Sequence, residues 1–294
     1  MMKLSESIDG FAAFDTIRRM YPFRGATYDL RGTSSRISSC RLFSLLLFTL
    51  PSLTAQGCAT AAPATSARAS VSGRIFILPG VTNTQGETGG IAKVLKHAFP
   101  DHEVSVRRWG RPFLALTNLR SYERNVKKAR ELADEIAALR RAEPSVPIDI
   151  VGLSGGGAMA LFVIEALPED VSVRRVVLLA PAISRGFPIE MRVMPKVDDF
   201  VLNFISPLDW QVSLGTKVFG TMDRRAEQSA GYTGFPVDHP RLLQVPWRPE
   251  MMMQGHFGNH LSYLSEVWQQ QYVAPALDPS MTIEAFRTRV GLGG

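Results

Sequence analysis

An α/β fold with a mostly parallel central sheet and helices on both faces is what this sequence predicts, from three observations. Short apolar runs alternate with longer amphipathic stretches from residue 73 onward. The runs are apolar at consecutive positions rather than at every second one, as strands covered on both faces must be. A glycine-rich turn joins one of these runs directly to a helical stretch.

The elements follow in order. Arg74 to Leu78 is a short strand that ends at Pro79-Gly80. A glycine-rich loop leads to a helix over Ile91–Phe99, stopped by Pro100, and His102 to Trp109 reads as a second strand. Ser121 to Arg141 is the clearest helix: Val126, Ala129, Leu132, Ala133, Ile136 and Leu139 recur at three- and four-residue steps, with charges opposite. Ile148 to Gly152 is the third strand, Ala158 to Leu167 a helix, and Val173 to Ala180 a further buried strand. Val201–Ser206 and Leu242–Trp247 are later strands, with Asp198 and Asp199 ahead of the first of them. No internal repeat is present.

Between a strand and a helix stands Gly152-Leu153-Ser154-Gly155-Gly156, a G-x-S-x-G turn. The turn is tight enough to hold the serine in a strained conformation, and side chains at 152 and 156 would collide, so glycine stands there. Ser154 then clears the sheet, and the helix start with the Gly155 amide favours developing negative charge. A phosphate-binding loop needs a Lys-Ser/Thr pair, which does not follow, and the glycine spacing misses G-x-G-x-x-G.

On the turn, on Leu78-Pro79-Gly80-Val81 after the first strand, and on an acid then a histidine downstream, residues 73–277 resemble the α/β-hydrolase superfamily of serine esterases and lipases. The resemblance implies an eight-stranded, mostly parallel sheet, here reduced, and a Ser–Asp–His triad with no cofactor and no metal. It also implies an oxyanion hole formed by the amides of Gly155 and Val81. Pro79-Gly80 departs from the His-Gly common in that loop.

The acid should follow a late strand. Asp209, in Ser206-Pro207-Leu208-Asp209, is the preferred residue, with Asp238 as the alternative and helix capping as the structural use of Asp209. His97 and His102 precede the serine, against the family order, and His239 sits in a turn beside Asp238. The base is therefore His260 or His256, and His260 is preferred because Gly258-Asn259 precedes it and a helical stretch follows, as in the family. The pair has i,i+4 spacing suited to a metal, but Gly255, Gly258 and Asn259 oppose the helix that this needs.

About twenty residues separate Ala180 from Phe200, enough for a minimal cap with Phe187, Met191 and Met194. Met251, Met252 and Met253 are candidates for an apolar acyl pocket. The expected partner is a small or lipid-like ester. A transferase passing the acyl group to another alcohol, and a non-catalytic envelope lipoprotein using the fold for binding, are the alternatives.

The net charge of +6 does not point to nucleic acid. Residues 1–57 hold seven Lys/Arg against four Asp/Glu, leaving 26 against 23 in the rest, without basic runs interleaved with aromatics. Arg36 and Arg41 precede the apolar run Leu42–Leu50, then come Pro51 and small residues up to Cys58: a signal peptide. The nine-residue run is far short of the roughly 20 needed to span a bilayer. Residues 53–58 resemble a lipobox, which implies lipidation of Cys58; the alternative is ordinary cleavage after a small-x-small site such as Ala59-Thr60-Ala61. The expected layout is a leader over 1–58, a linker over 59–72 and the hydrolase domain over 73–294, exported as an envelope lipoprotein or a secreted or periplasmic protein. Membrane contact is expected only through Cys58. Met20 is an alternative start.

Overall fold

Six strands pair in the order β2-β1-β3-β4-β5-β6, and every pairing is parallel. They are β1 (Gly73–Leu78), β2 (His102–Val106), β3 (Ile148–Leu153), β4 (Val173–Leu179), β5 (Val197–Ile205) and β6 (Leu242–Pro246). The computed structural model describes residues 72–209 and 220–293. The leader, Cys58 and almost all of the linker lie outside the described residues. The described ones fall within one compact unit, Ser66–Gly294.

The consecutive apolar residues of the strands serve two separate cores. Phe76, Leu78, Ile148, Ile150, Val176, Leu178 and Val201 face one side, packed with α3 (Tyr122–Ala142) and α4 (Gly155–Ala166). Their neighbours Ile75, Ile77, Val151, Leu153, Val177, Leu179 and Leu202 face the other, packed with α1 (Gly89–Ala98), α7 (Glu266–Leu277) and α8 (Ile283–Arg289). Alternate side chains of one strand point to opposite faces, so a strand between two helical layers is apolar at consecutive positions over most of its length. This is an α/β fold with a parallel sheet covered by helices on both faces, with six strands among the described residues where eight were implied. The remaining helices are short: α2 (Ala115–Arg120), α5 (Ile189–Arg192) and α6 (Ala230–Thr233).

Two boundaries differ from expectation in an informative way. β2 stops at Val106, and Trp109 leaves the strand to donate its indole N–H to the Pro79 carbonyl (2.8 Å). β5 begins at Val197, so Asp198 and Asp199 lie inside it rather than before it. Arginines make this possible: Arg175 bonds Asp199 at 2.9 Å and Arg140 stands 3.5 Å from Asp198. The connection from β4 to β5 is compact, and its Phe187 and Met194 are buried in the first core while Met191 is exposed.

The register fixes where the chain can place functional groups. Leu78 pairs with Gly152, Leu153 with Leu179, Leu179 with Phe204, and Ile205 with Pro246. Five strands therefore end level, and the segments following them emerge at one edge. The chain runs outward from β1 to β2, then returns past β1 to β3 and onward, so the order reverses between β1 and β3. In open α/β sheets the crevice at such a reversal is where ligands bind.

Candidate active site

Ser154 sits at that reversal, directly after β3, with φ 56° and ψ −119°. Such a backbone is costly for any residue with a Cβ, by roughly 1–3 kcal/mol, and persists only where its surroundings hold it. Here they do. The Ser154 amide donates to the Leu179 carbonyl (2.8 Å), and its carbonyl accepts from Ala182 (3.0 Å) and Gly157 (2.9 Å). The glycines around it are sterically required, although the collisions are with backbone. A Cβ on Gly152 would lie 2.5 Å from the Gly156 oxygen, and one on Gly156 would lie 2.1 Å from the Leu78 oxygen. Helix α4 thus begins at Gly155, three residues before the apolar pattern suggests, because three small residues let it start against the end of β1.

The loop after β1 crosses beside this turn. A Cβ on Gly80 would fall 3.5 Å from the Ser154 Cβ, and one on Gly155 would fall 2.5 Å from the Val81 Cγ1. Among the described residues neither the Val81 nor the Gly155 amide donates a hydrogen bond. Two unused donors therefore flank the nucleophile turn, one from a loop and one from a helix start.

Asp209 and His260 meet at the same edge. Asp209 follows β5, is fully buried, and accepts a hydrogen bond at 2.7 Å from His260 Nδ1. His260 opens a 3-10 helix, His260–Leu264, whose cap is Asn259: its side chain accepts from the Ser262 amide (3.1 Å). The imidazole is 18% exposed, in contrast to its fully buried partner. The two loops are tied together, since Ser206 Oγ donates to the Gly258 carbonyl at 2.5 Å. Gly258 has φ +82°, and a Cβ there would strike Leu208 at 2.9 Å. With Nδ1–H engaged by a carboxylate, Nε2 is left as an acceptor, the form a general base needs.

The alternative residues lie elsewhere. His256 is buried against Tyr263 and Trp268, ring centroids 4.3 and 4.8 Å away, and its Nδ1 accepts from the Gly258 amide (3.1 Å). Burial pushes its pKa down to about 4, the backbone hydrogen bond and Asp209 opposing only in part. It shapes the loop that carries His260. Asp238 is exposed just ahead of β6 and bonds no histidine among the described residues. Met251 is buried in the second core while Met252 and Met253 are exposed, so the three methionines do not line one pocket. No group of three or more His, Cys, Asp or Glu among the described residues could hold a metal ion. No described helix is long and apolar enough to cross a membrane.

Three residues with a part in this site escaped the sequence reading: Glu87, Trp109 and Asn118. Glu87 had a signal, the Thr84-x-x-Glu87 spacing of a capping box. Trp109 and Asn118 had none, since only the fold brings them to the loop after β1.

No protein-family model matches the chain, and no curated protein matches it. Among solved structures it is similar to an acetylxylan esterase, at 12% identity over 75% of this chain and 99% of that one, with a TM-score of 0.40. A cutinase-like protein from Cryptococcus sp. is 14% identical over 76% and 97%, TM-score 0.37. The product of gene lin2722 from Listeria innocua is 13% identical over 74% and 97%, TM-score 0.43. Likeness at this level carries no functional argument, and function rests on the site itself.

Proposed function

We propose that this protein is a serine hydrolase that cleaves carboxylic esters through an acyl-enzyme, with Ser154 as nucleophile, His260 as base and Asp209 as its orienting acid. The observation that carries the reading is the Asp209–His260 hydrogen bond at the sheet edge where the strained Ser154 turn also emerges. Strain at one serine and a buried carboxylate holding one tautomer of one histidine are the costs a catalytic triad incurs, and neither is needed for folding alone.

In this mechanism the Ser154 hydroxyl attacks the ester carbonyl carbon while its proton passes to His260 Nε2. Asp209 stabilises the imidazolium, and the amides of Gly155 and Val81 hold the oxyanion, worth about 3 kcal/mol each. The tetrahedral intermediate expels the alcohol, which takes the proton from His260. Water then attacks the acyl-enzyme by the same route and frees Ser154. Leu208, Phe257 and Leu261 are exposed within three residues of Asp209 or His260, which favours an ester with an apolar acyl or alcohol part. The apolar run ahead of Cys58 supports export, with a lipid at Cys58 as the membrane attachment.

Steady-state hydrolysis of p-nitrophenyl esters from acetate to octanoate, with methanol as a competing acceptor, tests the activity. Turnover with free acid as the main product supports a hydrolase. A methyl ester as the main product indicates a transferase instead. No turnover of any ester by folded protein removes the reading.

A further inference from the structure

The loop after β1 is held far more rigidly than a surface loop needs to be, and the hydrogen bonds fall on consecutive peptide groups. The carbonyl of Pro79 accepts from the Trp109 indole (2.8 Å). That of Gly80 accepts from the Asn83 amide (3.1 Å). The peptide joining Val81 to Thr82 is gripped at both ends: its carbonyl accepts from Asn118 Nδ2 (2.8 Å), and its N–H donates to Glu87 Oε1 (3.2 Å). The Thr82 carbonyl accepts from the Phe113 amide (2.8 Å). Four successive peptide planes are fixed, and the Val81 N–H lies within them with no partner among the described residues.

Asn118 is built for this task. It is fully buried, and all of its polar capacity is used. Oδ1 accepts from the Arg111 amide (2.9 Å) and from Arg124 (3.0 Å), and Nδ2 donates to the carbonyls of Val81 (2.8 Å) and Arg111 (2.7 Å). A side chain with every donor and acceptor matched cannot rotate without breaking several bonds at once. Glu87 closes the other side, with Oε2 also accepting from the Thr84 amide (3.3 Å).

We propose that Asn118 and Glu87 are positioning residues that clamp the Val81–Thr82 peptide and thereby aim the Val81 amide at the oxyanion, an inference that rests on the serine-hydrolase reading. An oxyanion donor is effective in proportion to how little it must reorganise when charge develops. The Val81 N–H belongs to the preceding Gly80–Val81 peptide, and a neighbouring Val81–Thr82 plane free to tilt would let the Val81 backbone rotate and carry that N–H away from the charge. Removing the clamp should therefore weaken transition-state binding and leave ground-state binding of the ester unchanged.

The test compares Asn118→Asp, Glu87→Ala and Glu87→Gln with the wild-type full chain, measuring kcat and KM on a p-nitrophenyl ester, thermal unfolding, and hydrogen exchange at the Thr82 amide. Asn118→Asp keeps the shape and both acceptor contacts but loses the donors to the Val81 and Arg111 carbonyls. It should lower kcat about tenfold or more, with KM within about twofold. Glu87→Ala should do the same and speed Thr82 exchange, while Glu87→Gln, which keeps an acceptor for Thr82, restores most of the lost kcat. An unchanged kcat in Asn118→Asp, a Glu87→Gln as impaired as Glu87→Ala, or a Thr82 amide that exchanges freely in the wild type overturns the positioning role alone. A folded wild type that turns over no ester overturns the hydrolase reading, and the positioning role with it.

Discussion

His260 Nδ1 and the Asp209 carboxylate lie 2.7 Å apart across 51 residues of sequence, the acid fully buried and the imidazole at the edge. A carboxylate removed from water is costly unless its hydrogen bonds are made, so this pair fixes one imidazole tautomer. Asp209→Asn should leave the fold intact and lower kcat/KM for a p-nitrophenyl ester about a thousandfold or more, and His260→Ala should lose at least as much. A loss under tenfold for either would show that the pair is structural.

The Ser154 backbone supplies a stability test independent of substrate. Alanine at this position retains the Cβ and its strain, while glycine relieves roughly 1–3 kcal/mol and costs about 1 kcal/mol in chain entropy. Ser154→Gly should thus be as stable as Ser154→Ala or more so, by up to about 2 kcal/mol, in urea unfolding. Both should be inactive. A glycine variant clearly less stable than the alanine variant contradicts the strain argument.

His256 makes native stability depend on pH. Its imidazole is held neutral by burial, with a pKa of about 4 against 6.5 in an unfolded chain. Between those values the unfolded state takes up a proton that the native state refuses. The contribution is therefore full above pH 6.5 and is lost as pH falls towards 4, reaching at most about 3 kcal/mol. His256→Asn keeps an acceptor for the Gly258 amide and removes the titration. The gap in Tm between wild type and variant should narrow from pH 7 to pH 4.5. A gap independent of pH would mean that protonation of His256 does not matter to folding.

Lipid attachment at Cys58 predicts that cells fed radiolabelled palmitate incorporate it into the full chain and not into Cys58→Ala. Equal labelling of the two, or none in either, contradicts lipidation of Cys58.

Much of this was legible in the sequence because backbone sterics leave strong marks. Gly152, Ser154 and Gly156 read as a strand–turn–helix because no other residues fit where the Gly156 Cβ would meet the Leu78 oxygen. The paired-core strands read equally clearly, since burial on both faces leaves them mostly apolar, and the buried polar residues they do carry, such as Asp149 and Arg175, are ion-paired with Arg174 and Asp199. The partner of Asp209 was narrower to judge: His256 and His260 share one loop, and which ring turns inward depends on the left-handed Gly255 and Gly258 and the Asn259 cap. Asn118 could not be read at all, because a buried asparagine serving a loop 37 residues away has no local pattern. The start of β5 was misplaced for a related reason. Asp198 and Asp199 look like loop residues until Arg140 and Arg175 arrive from other strands and helices to neutralise them.

The most direct test of the central claim is covalent labelling of the full-length protein with a fluorophosphonate, mapped by peptide mass spectrometry. An activated serine displaces fluoride and keeps the phosphonyl group. The expected result is a single adduct on the peptide bearing Ser154, absent from Ser154→Ala, with loss of ester hydrolysis in step with labelling. Folded protein that forms no adduct, or forms it at another serine while hydrolysing esters, would contradict it.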